Sequence, residues 1–198
     1  MISSLTAYEM QLVTDPQILL AKNNIIKVVY KRFGDLASRY QKELEDITVE
    51  SEASMSAKIS RGENYKGLPY VIMDYPRHFS KTDVFAIRTF FWWGNFFSIT
   101  LQLSGQYQSK YANNIEGAIR HDCFSGWFIG NSANQWEHHF ETGNYMPVEK
   151  DKDYNVDKLP FLKLAKKIPL GKWDEIDSFF TGNFSLLIKV LTSYAPIR

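Results

Sequence analysis

The sharpest alternation of apolar and polar positions in the chain runs from Val84 to Ser104. Phe85, Ile87, Thr89, Phe91 and Trp93 alternate with Val84, Ala86, Arg88, Phe90 and Trp92. After Gly94-Asn95 the pattern resumes, with Phe97, Ile99, Leu101 and Leu103 set against Phe96, Ser98, Thr100, Gln102 and Ser104. Successive side chains of a strand point to opposite faces, so a period of two marks β structure. Gly and Asn both tolerate positive φ, and such a pair between two β-rich runs predicts a hairpin with a tight turn. The first run is apolar on both faces apart from Arg88 and Thr89, whereas the second has one apolar and one polar face. This predicts a central strand covered on both sides beside a less covered neighbour.

Helical periodicity brackets this hairpin. Thr14-Asp15-Pro16 offers an N-cap followed by a first-turn proline. Ile18, Leu19, Ile25, Ile26, Val29, Phe33, Leu36, Tyr40 and Leu44 then recur mostly three or four apart, predicting one long helix with a single apolar stripe. A shorter helix over 5–13 precedes it. Tyr107, Tyr111, Ile115 and Ile119 predict a helix over 106–119. Ile176, Phe179, Phe180, Phe184, Leu187, Ile188 and Leu191 predict a C-terminal one. Short strands are expected at 58–61 and 71–73, the latter held to about five residues because Pro69 and Pro76 cannot donate to a ladder. A strand at 123–129, a turn over Gly130-Asn131-Ser132-Ala133-Asn134 and a partner strand at 136–140 follow. The polar stretches 45–56 and 141–158 read as connectors. Helices at both ends with strands between predict an α+β fold. Its antiparallel sheet, with the aromatic-rich hairpin at its centre, packs against the long N-terminal and the C-terminal helix.

Composition narrows the class. The 198 residues fit one domain. With 44% hydrophobic and 23% charged residues there is ample material for a core, which excludes global disorder. Lys plus Arg (23) and Asp plus Glu (22) nearly cancel, so the basic excess of a nucleic-acid binder is missing and no such partner is expected. A single cysteine, Cys123, precludes an intrachain disulfide. The start, Met1-Ile2-Ser3-Ser4-Leu5-Thr6, lacks the basic and apolar regions of a signal peptide. The most apolar run, Phe90 to Phe97, falls well short of the ~20 residues a membrane span needs. A soluble cytoplasmic protein without a membrane partner is the expectation.

Motifs for nucleotides, a serine-hydrolase elbow or a metal are absent from the chain, and no cofactor or metal is expected. His121 and Cys123 would share a face if their segment were a strand, as a Cys/His pair requires, but no third orienting group accompanies them. A buried small thiol beside a surface histidine is the plainer alternative. In Trp136-Glu137-His138-His139 the two imidazoles would point to opposite faces of a strand. Glu137 and His139 could share a metal, or the histidines are exposed polar positions on an edge strand. Asp74-Tyr75-Pro76-Arg77-His78-Phe79 gathers a carboxylate, a phenol, a guanidinium and an imidazole on an expected loop, where functional groups concentrate. A proline turn with Asp74 accepting backbone N–H bonds is its structural alternative.

Arg88 stands out, being mid-strand on the face that carries Trp92, Phe90, Ser98, Thr100 and Gln102. A guanidinium among aromatics and hydroxyls can clamp a carboxylate or phosphate. It can equally pair with a carboxylate of a covering helix, for which Glu43 and Asp46 are the candidates. Two functional readings result. In the first, Trp92, Trp93 and Phe96 form an exposed patch for a protein partner or a homodimer. In the second, Arg88, Trp92, Thr100, Gln102, Asp74 and His78 bind, or act on, a small anionic or aromatic molecule.

Overall fold

The computed structural model describes residues 4–45, 47, 53 and 56–193. It opens with α1 (Ala7–Thr14) and α2 (Pro16–Glu43), and local chemistry explains both starts. The Thr6 hydroxyl accepts the Glu9 N–H at 3.2 Å while the Glu9 carboxylate accepts the Thr6 N–H at 2.7 Å. Two otherwise orphaned donors are thereby satisfied. Asp15 caps α2 through the Gln17 N–H at 2.9 Å, with Pro16 in the first turn. The buried stripe of α2 comprises Ile26, Val29, Phe33, Leu36 and Tyr40. Of the residues expected on that stripe, Ile18 and Leu19 are exposed because the first turns of the helix bury nothing, and Ile25 because it points away from the body on which its neighbour Ile26 packs. The connector expected at 45–56 falls mostly outside the described residues.

Seven strands follow: β1 (Lys58–Tyr65), β2 (Leu68–Phe79), β3 (Val84–Trp92), β4 (Phe96–Ser104), β5 (Phe128–Gly130), β6 (Tyr145–Pro147) and β7 (Leu162–Pro169). Helix α3 (Gln106–Arg120) lies between β4 and β5, and α4 (Ile176–Thr192) ends the described chain. The strands form one sheet in the order β1-β2-β3-β4-β7-β5-β6, antiparallel throughout. The fold is α+β, with the aromatic hairpin at mid-sheet.

Helices α2, α3 and α4 cover one face. Phe97 meets Phe33 at 6.5 Å and Phe180 at 6.0 Å between ring centroids, and Phe85 meets Tyr111 at 6.0 Å. Tyr40 stacks on Phe184 at 3.7 Å, joining α2 to α4, and Arg32 adds an ion pair to Asp177 at 2.7 Å. Phe85, Ile87, Phe91, Phe97, Ile99, Leu101 and Leu103 all join this core, the set that the alternation assigns to one face. The other face carries a small aromatic cluster of Phe90, Trp92 and Phe96. Covering it is the loop 131–144 between β5 and β6, with Phe140 packed on the cluster.

Several expectations need correcting. The β3–β4 turn has three residues, Trp93, Gly94 and Asn95, since Trp92 pairs with Phe96. Gly94 supplies the positive φ (70°) that closes it. Strand β4 is as buried as β3, because helices cover one face and the loop 131–144 the other, while β7 pairs its edge. Strand β2 is twelve residues, not five, and runs through both prolines. Each proline falls where the pairing register is irregular, between Gly62/Tyr65 on one side and Asp74/Arg77 on the other. Pro76 lies in a bulge of β2 and Pro69 opposite a bulge of β1, so neither belongs to a register pair and the missing donors cost no strand pairing. Strand β1 likewise continues past its expected end to Tyr65, and Lys66-Gly67 makes the turn. Of the strand expected at 123–129, only Phe128–Gly130 forms. Its partner is β6, inside a stretch read as a loop, and 136–140 has no strand pairing. Strand β7 is missing from the sequence reading altogether.

Candidate functional site

Asp74 and Arg88 face each other across β2 and β3 in register. The pair is bidentate: Nε donates to Oδ1 at 2.7 Å and Nη2 to Oδ2 at 3.0 Å, with both residues 7% exposed. The partner of Arg88 is therefore a cross-strand carboxylate and not Glu43 of the covering helix; Asp46 lies outside the described residues. Two planar forks locked together make the strongest form of charge-assisted hydrogen bond. Nη1 of Arg88 meets Nε2 of His138 at 3.1 Å. An arginine has no acceptor, so that imidazole nitrogen must carry the lone pair and the ring proton must sit on Nδ1. Burial, reinforced by the charges of Arg88 and Lys163, holds His138 well below its ordinary pKa, in agreement with a neutral ring. The Arg88 guanidinium also lies 5.9 Å from the Trp136 ring.

His138 and Trp136 belong to the loop 131–144, which several anchors draw onto this face. The Tyr65 hydroxyl accepts the N–H groups of His138 (2.7 Å) and His139 (3.1 Å) and donates to Glu137 at 3.0 Å. Burial pushes the Tyr65 hydroxyl up to about 12. Lys163 of β7, 1% exposed, donates to the Glu137 carbonyl and lies over the Tyr145 ring at 4.6 Å. Burial first, and Arg88 second, lower its ammonium to about 8 against an ordinary 10.5. A side chain at Gly130 would put its Cβ 3.1 Å from the Cβ of Lys163, so glycine lets the loop leave β5 close against β7. Gln102 donates to Gln135 at 3.0 Å, and its own Oε1 is buried with no hydrogen-bond partner.

Register gathers a second row beside Arg88. Arg77 pairs with Ala86, Ala86 with Gln102, and Gln102 with Lys163. Directly opposed residues share a face. Ala86 thus presents only a methyl group between Arg77 and Gln102. Among the described residues Arg77 makes neither a hydrogen bond nor an ion pair, and its Nε is buried. Trp136 reaches over this row, 6.1 Å from Phe79 at one side and 5.9 Å from Arg88 at the other. Arg77, Arg88 and Lys163 thus lie on adjoining rows of one face, with Asp74 in direct contact with only one of them.

Of the sequence-predicted residues, Asp74, Arg88, Thr100 and Gln102 come together here, Thr100 directly opposite Arg88. Trp92 lies on the same face but is buried in the aromatic cluster, its Nε1 donating to the Tyr65 carbonyl at 3.2 Å. His78 does not join them. The bulge shifts the parity of β2, and His78 turns to the helical face, 5.3 Å from Tyr107. The segment Asp74 to Phe79 is strand rather than loop. Trp92 and Phe96 are 5% and 8% exposed, so the aromatic patch expected to meet a partner is covered by the protein's own chain. Cys123 is exposed in the turn after α3, neither buried nor on a strand. His138 is buried, not an exposed edge position, and among the described residues no three His, Cys, Asp or Glu side chains are gathered to hold a metal ion.

Sequence reasoning missed Arg77, Gln135, Trp136, His138, Tyr145 and Lys163 as members of one site. Lys163 had a legible signal, since Leu162, Leu164 and Ile168 alternate around it. No helix among the described residues is long and apolar enough to cross a membrane. Comparison with known proteins gave no match to a protein family, to a curated protein sequence or to a solved structure.

Proposed function

We propose that this protein binds a small anionic ligand, bearing a carboxylate or phosphate group, at Arg77, beside the loop 131–144. The observation that carries the reading is Arg77, a half-buried guanidinium with no counter-charge among the described residues. Buried charges are normally paired, and an arginine fork left open matches the two oxygens of a carboxylate or phosphate. Exposed Trp136 and Phe79 form an aromatic border beside it. The role of Arg88 changes accordingly. All three of its nitrogens are engaged, so it holds His138 and Trp136 in place while Arg77 contacts the ligand. Binding is favoured over catalysis, since the lone pair of His138 faces Arg88 and the Lys163 ammonium already serves the Glu137 carbonyl.

Isothermal titration of the purified chain with inorganic phosphate, acetate and benzoate tests this. At least one anion should bind saturably, and Arg77→Gln should weaken it about tenfold or more, as loss of a charged hydrogen bond does. Phosphate against acetate distinguishes the two anion classes, and benzoate reads the aromatic border. Absence of binding by all three, or binding unchanged in Arg77→Gln, would refute the assignment.

A further inference from the structure

We infer that two copies of this chain associate through α1 and the first turns of α2, each copy burying these apolar turns against the other's. Both helix starts are defined, with a capping box on α1 and Asp15 with Pro16 at the head of α2. Yet α1 has no buried residue, and α2 has none before Ile26. Leu5, Tyr8, Met10, Val13, Ile18, Leu19 and Leu20 are between 42% and 68% exposed. Together they offer surface on the order of the ~800 Å² that each partner contributes to a standard-size interface. An isolated monomer seldom leaves so large an apolar area in water. A helix of eight residues is also marginal without packing, so the partner that covers α1 would supply most of its stability.

The occupant follows from charge. Between residues 4 and 21 the charged side chains are Glu9 and Asp15, and both are engaged in capping helix starts. Lys and Arg are absent until Lys22. An amphipathic helix that lies on a lipid surface carries Lys and Arg along its polar face, which this segment lacks. A partner of different chemistry would usually be selected by rim charges, and the patch offers none. An uncharged apolar surface is complementary to itself, which is what a two-fold interface requires.

Multi-angle light scattering on the full chain at micromolar concentration reads the outcome. The expected result is twice the chain mass, reduced to a single chain by Tyr8→Glu or Leu19→Glu and retained by Leu19→Met. Because these positions are exposed, tryptophan fluorescence and thermal midpoint of the body should stay close to wild type, separating dissociation from unfolding. A monomeric wild type overturns the inference. So does a dimer that both glutamate variants leave intact, which would locate the interface elsewhere. A monomer that co-sediments with phosphatidylcholine vesicles would assign these turns to a lipid surface instead.

Discussion

Arg88 shows how a charge is kept inside a sheet. Its fork is filled by Asp74, its third nitrogen by neutral His138, and an indole lies over the plane. Removing one member of a buried pair leaves the other uncompensated, at a cost of about 3–5 kcal/mol. Asp74→Asn should therefore destabilise the chain by about that amount in urea denaturation. The double variant Asp74→Leu, Arg88→Met should recover much of the loss, because two apolar groups impose no unpaired charge. A double variant as unstable as Asp74→Asn alone would argue against this account. Both residues were legible as candidates from their surroundings, but their partnership was not. It depends on the register of β2 against β3, and the irregularity between Asp74 and Arg77 hides that register from simple alternation. The same irregularity sends His78 to the far face and leaves Arg77 beside Ala86.

Among the elements, the hairpin from Val84 to Ser104 and helix α3 could be read almost residue for residue, because each has a strict period bounded by glycine. The turn chemistry was right in kind and one residue short in length. Gly94 has open space around the position of a Cβ, so an alanine there meets only the backbone penalty of a positive φ. Gly94→Ala is expected to lower stability by about 1 kcal/mol, measured by chemical denaturation, without changing binding or association. Strand β7 went unread for a physical reason. Its sequence carries Lys163, Lys166 and Lys167, and lysines are seldom buried. Here Lys163 is tolerated because a backbone carbonyl and an aromatic face receive its ammonium. Such partners come from a loop distant in sequence, which local periodicity does not reveal.

For the molecule as a whole, these buried cationic groups set how stability responds to pH. Lys163 has its pKa lowered on folding from 10.5 to about 8. Between those values the unfolded chain holds a proton that the folded chain has released, so stability rises with pH across this window. At 1.36 kcal/mol per unit the full change is about 3 kcal/mol. Wild type should accordingly gain on Lys163→Met between neutral pH and the upper end of that window, in urea titrations run at matched ionic strength. A constant difference would contradict the assignment. His138 acts in the same sense at lower pH, its contribution being complete above 6.5 and lost as the pH falls through its depressed folded value.

The sheet order carries a further consequence, for the time at which the fold becomes complete. Strand β7 is inserted between β4 and β5, yet it is made some sixty residues after β4. A nascent chain that has not reached Leu162 can pair β1 to β4, but β4 then presents a bare backbone edge with Phe96 and Phe97 at its start. Strands β5 and β6, three residues each, have only one another, too little to persist unaided. Open strand edges are templates for pairing with other chains. Synthesis thus passes through a long interval in which four strands are ready and the fifth has not emerged. A chain interrupted before β7 would be left with an adhesive edge in place of a closed sheet.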